Sequence, residues 1–147
     1  MNDLRDLYQE VILDHNKRPR NFRILPQPTH HADGVNPLCG DRISVFLDID
    51  DGVIRDISFQ GAGCAISSAS ASLMTEALKG KPVNEIDHLF DAFHTVVTTD
   101  AECPKGLGKL SVLAGVRDYP SRVKCATLAW HAVRAALEQH KQPVATE

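Results

Sequence analysis

The chain has 147 residues, of which 43% are hydrophobic, and its 16 Lys and Arg against 19 Asp and Glu give a formal net charge of −3. This composition excludes a fully disordered chain, and it argues against a general nucleic-acid binder because no basic field is available to displace counterions from phosphates. No apolar run approaches the roughly 20 residues that span a bilayer, and the first six residues lack the basic start of a signal peptide. We therefore expect a cytoplasmic protein with no membrane partner, folded as one domain over residues 1–147 with 142–147 as a disordered tail.

The first predicted element is a helix that Asn2 or Asp3 caps and that ends near Asn16. Its apolar positions follow helical spacing; they are Leu4, Leu7, Val11 and Ile12. Three prolines and several basic residues then predict a loop from Lys17 to His31.

From Arg42 the apolar period changes to two, which predicts a strand covered on one face by Ile43, Val45, Leu47 and Ile49. The turn sequence Asp50-Asp51-Gly52 predicts an antiparallel hairpin whose return strand runs from Val53 to Gln60. Arg55 interrupts the alternation of this second strand.

The rest of the chain is predicted to be helical. The expected elements are a helix from Ala65 to about Leu78 with Gly80 as C-cap, one or two helices from Val83 to Val97, a loop from Thr98 to Gly108, a short apolar helix from Leu110 to Val116, and a final helix after Pro120. The final helix carries an apolar stripe of Val123, Ala126, Trp130, Val133 and Leu137. A small antiparallel sheet followed by helices packed against it is an α+β fold.

The chain has four cysteines, which in a reducing compartment indicate metal binding or catalysis rather than disulfides. Cys39 lies in a turn sequence directly before the first predicted strand, and Asp41, two residues on, points to the same side of an extended backbone. Cys64 opens a predicted helix, where free N–H groups and the helix dipole stabilise a thiolate.

Cys125 lies near the start of the last predicted helix, beside Arg122 and Lys124, which favour its thiolate. The three cysteines and Asp41 together offer a tetrahedral zinc shell. Their spacings match no short CxxC pattern, and a free cysteine is often a small buried hydrophobe, so the pattern alone leaves both interpretations open. Cys103, in a predicted loop, is expected to be a thiol that binds no metal.

Three segments that contain these cysteines resemble the motifs of the IscU/NifU-N iron–sulfur cluster assembly family, and within it those of the SufU branch. They are Asn36-Pro37-Leu38-Cys39-Gly40-Asp41, Gly61-Ala62-Gly63-Cys64-Ala65-Ile66-Ser67 and Arg122-Val123-Lys124-Cys125-Ala126. The opening from Leu7 to His15, followed by Pro19, and the long interval between the second and third cysteines are also typical of that branch. Lys124 stands where the housekeeping scaffold has a histidine, and the Leu-Pro-Pro-Val-Lys motif that this scaffold offers to its chaperone is absent.

The resemblance implies that Cys39, Asp41, Cys64 and Cys125 are zinc ligands and that Cys39 accepts persulfide sulfur from a SufS-type cysteine desulfurase. It also implies that Arg122 hydrogen-bonds a ligand thiolate, and that sulfur passes on to downstream iron–sulfur assembly proteins. On this interpretation the chain is a sulfur-transfer partner, a zinc-dependent sulfurtransferase, rather than an independent enzyme.

Three other hypotheses remain open at this point. Cys39, Cys64 and Cys125 suit iron or a [2Fe–2S] cluster as well as zinc, which would make the chain an assembly scaffold. A zinc hydrolase or deaminase would need an open coordination position and motifs that the sequence lacks. A zinc ion with a structural role alone would make loss of Cys39 a loss of fold.

Overall fold

The computed structural model describes residues 3–37, 40–98, 120–138 and 144–145, together with Leu110, Leu113 and Val116; for residues 3–9, 120–121 and 144–145 it describes the backbone alone. The described elements, in chain order, are α1 Asp3–Lys17, β1 His30–Asn36, β2 Asp41–Asp50, β3 Val53–Ala62, α2 Ala65–Leu78, a 3₁₀ turn Val83–Glu85, α3 Ile86–Thr98, α4 Pro120–Leu137 and β4 Val144–Ala145. The strands form one sheet in the order β3-β2-β1-β4, with β1, β2 and β3 antiparallel. The predicted α+β fold is confirmed.

The β2–β3 hairpin has the predicted strands and turn. Asp51 and Gly52 both have positive φ, 53° and 74°, the backbone that a two-residue hairpin turn of type I′ requires. The register shifts between Asp48 and Ile49, so that Ile49 pairs with Ile54 and Asp48 with Asp56. Arg55 is therefore the extra residue of a β-bulge, which explains why it interrupts the alternation.

The sequence analysis missed strand β1, which occupies the end of the predicted loop. Its inward residues are small or polar, Ala32, Gly34 and Asn36, so it lacks the β-branched alternation that marks a strand. Gly34 allows close packing, because a Cβ there would lie 3.1 Å from Leu128 Cδ1 and 3.4 Å from Ala132 Cβ. Helix α4 thus packs directly on the backbone of β1.

Helix α4 is the central helix of the fold. It packs against α2, α3, β1 and β2, and it is buried over nearly all of its surface from Cys125 to Ala136 rather than along one stripe. Trp130 is fully buried and stacks on Phe93 with ring centroids 5.0 Å apart, which confirms its prediction as a core residue. Leu110, Leu113 and Val116 are buried in the same core. The remaining residues of that predicted helix, and residues 99–108 of the predicted loop, lie outside the described residues.

The opening segment of the chain is hydrogen-bonded to α2. His15, which is 1% exposed, has Nδ1 2.7 Å from Ser72 Oγ, and Ser72 Oγ also accepts the Arg20 backbone N–H at 2.8 Å. Asn21 Nδ2 donates to Thr75 Oγ1 at 3.0 Å. The motif from Leu7 to Pro19 thus leads directly into a segment that fixes the helix that Cys64 precedes.

Two residues of the predicted disordered tail instead form strand β4, since Val144 and Ala145 pair with Gly34 and Val35 of β1. Of the helices in the described part of the chain, none is long and apolar enough to span a membrane.

Candidate metal centre

Three predicted ligands that are far apart in sequence come together at one end of the sheet. Asp41 begins β2, Cys64 immediately precedes α2, and Cys125 lies in the second turn of α4. One ligand atom from each of the three lies within 4.8 Å of the others. Asp41 and Cys125 are each 1% exposed, and Cys64 is half-buried.

Asp41 and Cys64 are joined at the start of α2. The Cys64 backbone N–H donates to Asp41 Oδ1 at 2.9 Å, and Asp41 Oδ2 lies 3.8 Å from Cys64 Sγ. Cys64 is also the N-cap of α2, because its sulfur accepts the Ser67 N–H at 3.4 Å. The prediction that Cys64 opens a helix is therefore confirmed, and its sulfur receives one of the free N–H groups of that helix end.

The carboxylate reaches this position only because residue 63 is glycine. A Cβ at Gly63 would lie 2.6 Å from Asp41 Oδ1 and 2.9 Å from Asp41 Cγ, closer than non-bonded carbon and oxygen atoms approach. The glycine before Cys64 therefore leaves room for Asp41 to bind the helix end with one oxygen while the other faces the cysteine sulfur.

Cys125 and the residue after it each accept a buried hydrogen bond from another element of the fold. Its sulfur accepts a hydrogen bond from Asn36 Nδ2 at 3.5 Å, and Asn36 is itself fully buried at the end of β1. On the next residue, the Ala126 carbonyl accepts the hydroxyl of Ser70, a small residue of α2. This hydrogen bond brings α2 and α4 into direct contact beside Cys125.

The donor set fits a divalent metal ion. Ligands about 2.0–2.3 Å from a tetrahedral zinc lie roughly 3.5–4 Å from one another, and the 3.8 Å separation of Asp41 Oδ2 from Cys64 Sγ is of that size. A carboxylate and two thiolates this close repel one another in a buried place unless a cation or protons offset the charge. Thiolates bind zinc and iron–sulfur clusters alike, so the three ligands indicate a metal without specifying which.

The other predicted site residues are placed as follows. Cys39 and Cys103 lie outside the described residues. Arg122 is exposed on the first turn of α4, three residues before Cys125, so it projects from the same side of the helix as that cysteine.

Sequence reasoning missed two residues of this centre, Asn36 and Gly63. Both lie inside motifs that the sequence analysis singled out. The signal for Asn36 was an amide beside the cysteine turn, where a buried Asn needs a partner. The signal for Gly63 was a second glycine two residues after Gly61, at a place where a backbone and a side chain approach closely.

Comparison with protein families and known proteins places this geometry in context. Residues 7–126 match the family described as the NifU-like N terminal domain. The chain is 41% identical over 148 residues to the iron–sulfur cluster assembly scaffold protein IscU of Streptococcus pyogenes serotype M1, covering 95% of this chain and 87% of the relative. It is 38% identical over 140 residues to the zinc-dependent sulfurtransferase SufU of Bacillus subtilis (strain 168), covering 95% of both chains.

The fold comparison agrees with the sequence comparison. A crystal structure of a candidate iron–sulfur cluster assembly scaffold protein for the SUF system, from Fervidobacterium islandicum AW-1, superposes with a TM-score of 0.82 at 30% identity. The match covers 87% of this chain and 94% of that one. The predicted IscU/SufU-like architecture is therefore confirmed.

Proposed function

Since this chain belongs to the NifU-like N-terminal domain family of iron–sulfur cluster assembly proteins, we propose that it is a zinc-dependent sulfur acceptor. It takes persulfide sulfur from a SufS-type cysteine desulfurase and passes it to downstream assembly proteins. The observation that carries the proposal is the convergence of Asp41, Cys64 and Cys125 within 4.8 Å. The likeness to a relative named as a zinc-dependent sulfurtransferase supports the zinc assignment.

Cys39 is the proposed fourth ligand and the sulfur acceptor. It is two residues from Asp41 in the chain, which is one of the three residues that converge. The three described ligands each accept a hydrogen bond from a buried or helix-terminal N–H group. We assign the ligand that leaves the metal and reacts to Cys39, as the resemblance of its motif to the SufU branch implies; the bonds to Asp41, Cys64 and Cys125 fit permanent ligands.

A bound zinc ion would keep its cysteine ligands deprotonated at neutral pH. In the proposed transfer, the Cys39 thiolate attacks the outer sulfur of the partner's cysteine persulfide. A new S–S bond forms at Cys39, the bond between the outer sulfur and the partner's cysteine breaks, and the partner's cysteine leaves as a thiolate. The exchange is redox-neutral, as in disulfide exchange.

Arg122 has a supporting role in this proposal. It is exposed, on the same side of α4 as Cys125, so its guanidinium can donate to a thiolate and also face an approaching partner. A fixed positive charge there favours the thiolate form of the attacking sulfur.

The test is desulfurase turnover in the presence of the wild-type chain, of Cys39→Ala and of Cys103→Ala. We expect Cys39→Ala to lose the stimulation of turnover and Cys103→Ala to retain it. Mass spectrometry should locate the added sulfur on Cys39. Stimulation by Cys39→Ala equal to that of wild type would reject the acceptor role, and loss of the folded state on this substitution would favour a structural zinc ion.

The second candidate function is a scaffold on which a [2Fe–2S] cluster assembles at Cys39, Cys64 and Cys125. The similarity to a relative named as a cluster assembly scaffold favours it, and so does the thiolate-rich donor set. Metal analysis of anaerobically purified chain separates the two functions. One zinc per colourless chain supports the sulfur acceptor, whereas iron and sulfide in stoichiometric amounts with a visible chromophore support the scaffold.

A further inference from the structure

The last residue of β1 presents a buried side-chain amide to the candidate metal centre. Asn36 is fully buried, pairs with Asp41 in the β1–β2 register, and accepts the Gly40 N–H on its backbone carbonyl at 2.8 Å. Its Nδ2 lies 3.5 Å from Cys125 Sγ. A thiolate sulfur only accepts hydrogen bonds, so the amide nitrogen is the end of the side chain that matches it.

We propose that Asn36 is a positioning residue that keeps Cys125 as the permanent, unreactive thiolate ligand of the centre. This inference rests on the proposed function, in which the site holds zinc and sulfur is accepted by a different cysteine. It adds that the thiolates have different roles, since one accepts sulfur while Cys125 stays bound to the metal. The donor set alone does not indicate this difference.

The physical reason is the effect of the hydrogen bond on the sulfur. An N–H group that points at a thiolate draws electron density from it, so the thiolate is stabilised in one orientation and becomes a weaker nucleophile. Partners of this kind orient metal ligands, and their loss typically weakens metal binding by about 10–100-fold. Burial of Cys125 to 1% exposure adds to this protection.

Cys64 is held in the same way by a different donor, since its sulfur accepts the Ser67 backbone N–H at the start of α2. A backbone donor is removed only by proline, which also constrains the backbone of the helix start, whereas an ordinary side-chain substitution removes the Asn36 amide. Asn36 is therefore the position at which the proposed difference in role between the cysteine ligands can be tested.

The test compares Asn36→Leu, which removes the donor and keeps the number and branching of the side-chain heavy atoms, with Ser70→Ala as a matched control. Ser70→Ala deletes a buried hydrogen bond to the carbonyl of Ala126 without touching the sulfur of its neighbour. Zinc affinity is measured by competition with a chromophoric chelator, and the cobalt-loaded protein reports the sulfur-to-metal charge-transfer band. We expect Asn36→Leu to bind zinc about 10–100-fold more weakly, with the cobalt band at longer wavelength, and Ser70→Ala to resemble wild type.

Reactivity of the zinc-loaded proteins towards iodoacetamide is the second measurement, with the alkylated residue identified by mass spectrometry. We expect labelling of Cys125 to be faster in Asn36→Leu than in wild type or Ser70→Ala. A folded Asn36→Leu with unchanged zinc affinity, cobalt spectrum and Cys125 labelling would overturn the proposal. The same effects in Ser70→Ala would overturn it too, because they would show a general loosening of α4.

A measurement on the wild-type chain keeps the proposal testable if Asn36→Leu does not fold. In the ¹¹³Cd-loaded, ¹⁵N-labelled protein, the side-chain amide of Asn36 should show a scalar coupling to the metal through the Cys125 sulfur. A metal-loaded protein whose Asn36 amide shows no coupling would contradict the hydrogen bond. None of these measurements uses a desulfurase, so their failure is distinguishable from failure of the proposed function, which the Cys39→Ala turnover assay tests.

Discussion

The two halves of α4 are buried in different ways. Near its start, the buried contacts of α4 are polar: Cys125 accepts from Asn36, and the Ala126 carbonyl accepts from Ser70. One turn later the contacts are apolar. Trp130 stacks on Phe93, and the ring centroids of Trp130 and Phe90 are 5.9 Å apart. We refer to Phe90, Phe93 and Trp130 as the aromatic cluster.

The difference indicates that the two halves of α4 have separate roles, one in stability and the other in positioning a side chain of the candidate metal centre. The aromatic cluster contributes free energy of folding through burial, which depends on area and close packing. The polar half gains little free energy from buried apolar area, and each of its hydrogen bonds contributes about 0.5–1.5 kcal/mol net. One of these bonds instead orients the sulfur of Cys125. Substitutions in the cluster should therefore change stability, and loss of the Asn36 hydrogen bond to the Cys125 sulfur should change metal binding.

The largest expected effect on stability is that of Trp130→Ala. Removing this fully buried side chain should lower the free energy of unfolding by about 3–5 kcal/mol, through lost burial and the cavity left behind. Denaturant unfolding of the metal-free protein measures the loss. The fraction that remains folded should still bind one metal ion per chain, and a folded Trp130→Ala without metal would contradict the separation of the two halves.

The next largest expected effect is that of Gly63→Ala, a substitution beside the candidate metal centre. A methyl group there collides with the Asp41 carboxylate, so it should break the Cys64 N–H bond to Asp41, at a cost of about 1.5–3 kcal/mol for a bond to a charged group. Zinc affinity, measured by chelator competition, should also fall. Gly80→Ala is the control: Gly80 has φ +85° in open space, so alanine should cost stability through the backbone and leave zinc affinity unchanged.

A pair of substitutions at Cys64 separates its role as N-cap of α2 from its proposed role as a metal ligand. Cys64→Ser retains an acceptor for the Ser67 N–H, so α2 should keep its cap, whereas Cys64→Ala should lose about 1 kcal/mol. Both should bind zinc more weakly because both lack the thiolate. Unfolding of the metal-free variants gives the first comparison and zinc titration the second; a Cys64→Ser with wild-type zinc affinity would remove Cys64 from the ligand set.

The smallest expected effect is a pH dependence at the edge of the aromatic cluster. Burial, then the positive charge of Arg134, then His94, lower the pKa of His131 below its usual 6.5. Between the lowered value and 6.5 the unfolded chain binds more protons than the folded one, so His131 makes stability fall as the pH drops below about 6.5. An NMR titration of the His131 ring should show a midpoint below 6.5, and His131→Gln should flatten this part of the stability profile relative to the exposed His88→Gln.

Much of the fold could be predicted from local patterns. The predicted bounds of α2, Ala65–Leu78, are those observed, and the β2–β3 hairpin followed from alternation and a turn sequence. These patterns are readable because each element has one buried face, or a turn that only a few residue types allow. Arg55 broke the pattern, and a bulge at that residue accounts for the break.

Where the prediction failed, the cause was a contact between distant segments. Strand β1 was missed because its inward side is made of Ala32, Gly34 and Asn36, which suit a closely packed helix rather than a typical strand. The burial of α4 on nearly all sides was missed because it depends on contacts with elements far away in the sequence, among them α2, α3, β1 and β2. Asn36 was overlooked as a contributor to the metal centre because its partner, Cys125, is 89 residues away.

Residue types and local spacing marked the thiolates and the carboxylate as candidates, because metal chemistry limits ligands to a few side chains and helix ends mark where a thiolate is stabilised. The resemblance of three motifs to a known family was needed to choose metal binding over simple burial of the cysteines. Residue types and local spacing were not sufficient to bring Asp41, Cys64 and Cys125 within 4.8 Å or to place an amide against one sulfur. Those features depend on how α2 and α4 pack against the end of the sheet. Packing is a property of the whole core, since each contact forms only when elements far apart in sequence are already in place.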